Sequence, residues 1–191
     1  MKMKTYVLFL VAVLISVFGS TSAQAQENSE KNSPQQDVTE VIPVNRHVDN
    51  IELVGLDGKP TMLPYYGEKN VLVFYVDPDK HKQNDEFIRK MEEEKFAAGA
   101  NIEGFGIINL KDTLFPNSIV RFLARKRTEK NGATIITDED NIIEKSWGLG
   151  DCNNMFVLMI VSREGELVFC RKGELSKQDQ EDFIRIVADY R

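Results

Sequence analysis

Sulfur and imidazole are scarce in this chain, which has two cysteines, Cys152 and Cys170, and two histidines, His47 and His81, among 191 residues. The cysteines form no C-x-x-C pair, and neither stands at metal-ligand spacing from a histidine. A zinc or copper centre is therefore not expected, and no cofactor is called for. There is no Gly-Lys-Ser phosphate loop, serine elbow or His-Glu-x-x-His. TDEDN and DPDKHKQND lack the glycine and terminal glutamate of a calcium loop. Positive charge is also in deficit, with a formal net charge of −6, so the chain is poor material for gripping phosphate backbones and nucleic acid is not an expected partner. The one basic cluster, RFLARKRTEK (Arg121 to Lys130), follows Ile119 and Val120. It reads as the exposed end of an amphipathic helix, where cations favour the C-terminus; the other reading is an anion-binding patch.

Long hydrophobic runs are equally rare. The longest, YVLFLVAVLISVF (Tyr6 to Phe18), follows the charged start MKMK and precedes the small residues GSTSAQAQ. That is the layout of a signal peptide spanning residues 1–25, with cleavage after Ala23 or Ala25. At 13 residues the run is shorter than the roughly 20 needed to cross a bilayer, so no membrane span is expected in the mature protein; a retained N-terminal anchor is the alternative. Residues 26–40 (QENSEKNSPQQDVTE) are polar, bury too little to offset ordering entropy, and read as a flexible leader. Residues 41–191 suit one compact domain.

The ordered part begins with VDNIELVGLDGKPTMLPYYG, where apolar residues alternate around Asp57-Gly58, a hairpin signal. KNVLVFYV (Lys69 to Val76) is a near-continuous apolar run, the mark of a central strand buried on both faces. From about Lys82, Phe87, Ile88, Met91 and Ala98 recur at helical spacing, with Gly99 as the stop. IEGFGIINL (Ile102 to Leu110) is a strand, weakened or bulged at its glycines. Ser118 to about Lys130 is a helix closed by Asn131-Gly132. ATIITDEDN is a strand with an acidic turn, IIEKSWGL a short helix or connector, and MFVLMIV and ELVFCRK are strands around the turn SREG. The last helix starts at Ser176, a good N-cap, and lays Phe183, Ile186, Val187 and Tyr190 on one stripe. Alternating strands and helices followed by a hairpin imply an α/β fold, a mixed central β-sheet flanked by helices.

The ordered segments LDGKP…YYGEKNVLVFYV, FGIINL, ATIITDEDN with Trp147-Gly148, and FVLMIVSREGELVFCRKGEL resemble the thioredoxin-like superfamily in its exported TlpA-like and peroxiredoxin-like branch. More narrowly they resemble the periplasmic YtfJ family. The resemblance implies a thioredoxin-like three-layer sandwich and a bacterial periplasmic (or secreted) location. It also shows what has been replaced. Counting from Phe74-Tyr75, the redox cysteines of a thioredoxin-like protein would fall at Asp79 and Lys82, which cannot attack a disulfide. GLGDCNNMF has no proline where the redox branch normally places a cis-proline facing the thiol.

What remains near that junction is the cluster Asp77, Asp79, His81, Lys82 and Asp85. The first four are candidates for binding a small polar ligand or peptide, since a helix start offers free N–H groups and Lys82 and His81 add positive charge; equally, the aspartates could simply cap the helix. Cys152, in a polar loop near the same rim, is the alternative: a lone thiol of an oxidoreductase or peroxidase-like enzyme, with Cys170 as its resolving partner. Asp151 would raise its pKa, and no histidine is adjacent to activate it. The register of the last hairpin sets Cys170 opposite a residue near Leu158, which argues against a Cys152–Cys170 bridge. The leading expectation is a redox-inactive binding or accessory protein whose partner is an unknown periplasmic protein or small ligand.

Overall fold

Why the run Val71 to Val76 tolerates no polar residue becomes clear from its neighbours. It lies in β4 (Asn70–Val76), which pairs in parallel with β5 (Ile102–Asn109) on one side and antiparallel with β7 (Phe156–Val161) on the other. Alternate side chains enter different cores. Val71, Val73 and Tyr75 pack with Ile143 and Trp147, while Leu72, Phe74 and Val76 pack with Phe87, Met91, Phe183 and Val187. A strand covered on both faces has no solvent side to make polar.

The computed structural model describes residues 42–111 and 113–191; the expected signal peptide and leader lie outside the described residues. Eight strands form one sheet in the order β1-β8-β7-β4-β5-β6-β2-β3. The additional strands are β1 (Arg46–His47), β2 (Glu52–Gly55), β3 (Pro60–Met62), β6 (Ile135–Asp138) and β8 (Glu166–Lys172). β4, β5 and β6 run parallel, and the pairs β7–β4, β8–β7, β1–β8, β2–β6 and β2–β3 are antiparallel. Helices α1 (Asp85–Glu94) and α4 (Lys177–Tyr190) cover one face, and α3 (Ile142–Ser146) with Trp147 lies on the other. Helix α2 (Asn117–Asn131) sits beside α1. Its Ala124 packs with Ile135 and Ile108, and Ile108 pairs with Val76 of the α1 face. This is the mixed sheet between helical layers that the order of elements implied.

The β2–β3 hairpin forms around Asp57-Gly58 as expected, with Gly58 at φ 83°, a conformation that favours glycine. Ser176 caps α4 in a reciprocal box: its Oγ accepts from Asp179 N–H at 3.1 Å, and Asp179 Oδ2 accepts from Ser176 N–H at 3.0 Å.

Three expectations are corrected, and one strand is new. Helix α1 ends at Glu94, with Lys95 left-handed at φ 55°, well before Gly99. The chain turns there because Phe96 must reach inward to meet the rings of Phe87 and Phe183, leaving Ala98 exposed. The same helix starts at Asp85 rather than Lys82. Asn84 is left-handed before it, its side chain bonded to Gly173 O and Leu175 N–H across the fold. The glycines of β5 carry no bulge: Gly104 and Gly106 keep register with Leu72 and Phe74, and the irregularity falls at Ile160/Val161 in the β7–β8 pair. Finally, Arg46–His47 was not anticipated as a strand.

Candidate functional site

The rim beyond β4 is built by one buried carboxylate. Asp77 ends the strand fully buried. Its Oδ1 accepts from Asp79 N–H at 2.8 Å, which holds the 3-10 turn Pro78–Lys80. Its Oδ2 accepts from Asn154 N–H at 2.9 Å, and its own N–H donates to Met155 O at 3.0 Å. Gln83 Oε1 adds a bond from Phe156 N–H at 2.9 Å. The loop after β4 and the loop before β7 are thus stitched together by backbone N–H groups on side-chain oxygens. Asn154 turns the second loop at φ 53°, which asparagine tolerates better than most residues. Charge-assisted bonds of this kind are the stronger ones, and a buried carboxylate without them would be costly.

Of the four proposed ligand residues, Asp77 therefore faces the interior and holds two loops rather than looking outward. Asp79 is half-buried, with Oδ2 accepting from Leu114 N–H at 3.3 Å, so it ties in the loop before α2. His81 is half-buried and its Nδ1 lies 2.7 Å from Pro78 O. Lys82 is exposed. The structure brings Asp79, His81 and Lys82 to one rim. Asp79 lies on the 3-10 turn and Lys82 in the turn that follows it, ahead of the α-helix rather than in its first turn.

Cys152 does not share that rim. It is fully buried in the cluster that contains Tyr75, Ile143, Trp147, Leu149 and Cys170. Its N–H donates to Glu144 Oε2 at 3.0 Å, and its thiol donates to Gly150 O at 3.4 Å. Burial is the main force pushing the thiol up to about 12; Lys172 pulls it down and Glu144 pushes it further up. Lys172 itself donates to Leu149 O at 2.8 Å and Asp151 O at 3.1 Å. Cys170, opposite Met159 and one position from the expected Leu158, is also buried and pushed up to about 12, again mainly by burial. Both thiols are free. A thiol held this far above neutral pH and closed to solvent is a poor nucleophile.

Two further clusters escaped sequence reasoning. Asp138, fully buried, accepts from Ile142 and Ile143 N–H at 2.9 Å each and from the Tyr75 hydroxyl at 3.4 Å, so it caps α3. Only the acidic turn of TDEDN hinted at it. Between α1 and α2, Glu92 is pushed up to about 7 by burial, opposed by Arg127, whose own pKa is lowered mainly by burial. No local pattern joins residues on two separate helices. Among the described residues no three histidine, cysteine or acidic side chains gather as a metal site, and no helix is long and apolar enough to cross a membrane.

Parallel strands with crossover helices, a closing antiparallel hairpin and a last helix packed beside α1 define the thioredoxin-like class. A solved putative protein disulfide isomerase from Bacteroides thetaiotaomicron is similar, with a TM-score of 0.54, 18% identity, and 80% of this chain and 92% of that one covered. The exposed lipoprotein thioredoxin Etrx1 from Streptococcus pneumoniae strain TIGR4 gives 0.52 at 16% identity, over 72% of this chain and 99% of that one. A putative thioredoxin from Neisseria meningitidis gives 0.51 at 16% identity, over 73% and 88%. Likeness at these identities defines the fold. No curated protein matches. The chain belongs to the family described as bacterial protein of unknown function (YtfJ_HI0045), whose model matches residues 77–190.

Proposed function

We propose that this chain is an exported, periplasmic thioredoxin-fold protein that performs no thiol–disulfide exchange and acts by binding a partner or small ligand. The binding surface is the rim carrying Asp79, His81 and Lys82. The observation that carries the reading is that both thiols are sealed in the core, and at Asp79 and Lys82, where the resemblance sets a dithiol, the chain has no sulfur. Thiol chemistry needs an accessible thiolate. The N-terminal charged, apolar and small-residue blocks support export. The competing reading, an oxidoreductase using Cys152 and Cys170, is opposed by their burial and raised pKa values.

The test uses a photo-crosslinking amino acid at Lys82, with Lys177 on α4 as control, in exporting cells. One discrete adduct specific to position 82, formed equally by a Cys152→Ser variant and resistant to reductant, is the expected result. Retention of the protein in the cytoplasm, or an adduct that is a mixed disulfide through Cys152, overturns the reading.

A further inference from the structure

Helix α2 is apolar on two sides. Val120 and Ala124 point inward and are buried. Ile119 and Phe122 point outward, 47% and 53% exposed, and the loop just before the helix adds Leu114 at 90% and Phe115 at 38%. Four of the six exposed large apolar side chains among the described residues thus fall between positions 114 and 122. Such clustering is unusual on a monomer surface, where exposed apolar residues are normally scattered. One turn further along the same outward face stand Arg125, Lys126 and Lys130, all exposed, against the single carboxylate of Glu129. Lys126 Nζ sits 4.6 Å from the Phe122 ring centroid, so cation and ring share one face. The other cations of the helix are turned elsewhere, Arg121 to Glu139 and Arg127 toward Glu92 and Asp85.

We propose that this face docks on the surface of an anionic phospholipid bilayer. A bilayer interface presents phosphates above acyl chains, and a helix that carries apolar side chains beside lysine and arginine satisfies both at one depth. Charge sets the orientation: the chain as a whole carries −6, so an anionic surface repels most of it and attracts this basic face. The exposure of Leu114 favours lipid over a peptide. A side chain standing almost wholly clear of the protein gains burial by entering a soft medium, whereas a peptide groove holds its anchors half-covered beforehand. In a symmetric pairing through this face, Arg125 and Lys126 of one copy would lie against the same cations of the other. The Leu114 loop adjoins the rim through Asp79, but the inference does not depend on the rim reading, because Ile119, Phe122, Arg125 and Lys126 stand on α2 and its readout is different.

The test places an environment-sensitive fluorophore at Leu114→Cys in the otherwise whole protein. The native thiols are buried, so the label enters at position 114. Reporting locally, it is blind to any association through the N-terminal apolar run. The expected result is a blue shift with vesicles holding about one phosphatidylglycerol in four, absent with pure phosphatidylcholine and removed by about 0.5 M salt. Arg125→Glu with Lys126→Glu weakens partitioning by about tenfold or more, and Phe122→Ser weakens it without changing its salt dependence. No shift with anionic vesicles, an equal shift with neutral ones, or a concentration-dependent shift without vesicles, which would mark a second copy, overturns the proposal.

Discussion

Asp77 and Asn154, 77 residues apart in sequence, are joined by a 2.9 Å hydrogen bond from the Asn154 backbone N–H to the buried Asp77 Oδ2. The buried carboxylate joins the loop after β4 to the loop before β7 by accepting backbone donors from both.

Replacing Asp77 by asparagine tests this directly. The amide keeps one acceptor and presents a donor to a second backbone N–H, leaving a buried conflict worth about 2 kcal/mol. The expected outcome is a thermal midpoint lower by about 5 °C, with the fold otherwise retained. An unchanged midpoint would mean that the two loops are held by other contacts.

The thiols give a second prediction. Titration with an aromatic disulfide at about pH 8, below the raised pKa values of both groups, leaves Cys152 and Cys170 unmodified in the native protein. Both react in denaturant, and a Cys152→Ser variant then yields one. A fast-reacting native thiol would contradict the burial described above.

Glu92 gives the third prediction. Burial raises its pKa from 4.5 to about 7, so between those values the folded chain holds a proton that the unfolded chain has released. Stability therefore falls as pH rises through that window and is flat above it. Because the side chain is only half-buried, screening reduces the effect to about 1 kcal/mol. Urea unfolding at several pH values is expected to show a shallower decline between 4.5 and 7 in Glu92→Gln than in the parent protein. Parallel curves would remove Glu92 as the cause.

The elements legible in sequence were those whose signal is local. β4 announced itself because burial on both faces leaves an unbroken apolar run, and α4 because Ser176 and Asp179 cap it within one turn. The start of α1 was misplaced because Asn84 owes its left-handed conformation to bonds with Gly173 and Leu175, about 90 residues away. β1 exists only through its pairing with β8. At the site, the position of Asp79 and Lys82 in the loop after β4 was readable once the strand was placed. The inward turn of Cys152 was not, because Glu144 and the packing around Trp147 set it. Asp77 was noticed for its charge, while its partner across the fold determines what it does.

The central claim is that no sulfur stands where electrons would have to pass. Its most direct test is reduction of insulin by dithiothreitol in the presence of the purified protein, followed by turbidity. The account predicts a rate equal to that without protein, the same for the parent and for Cys152→Ser. Turnover by the parent protein that disappears in Cys152→Ser would contradict it.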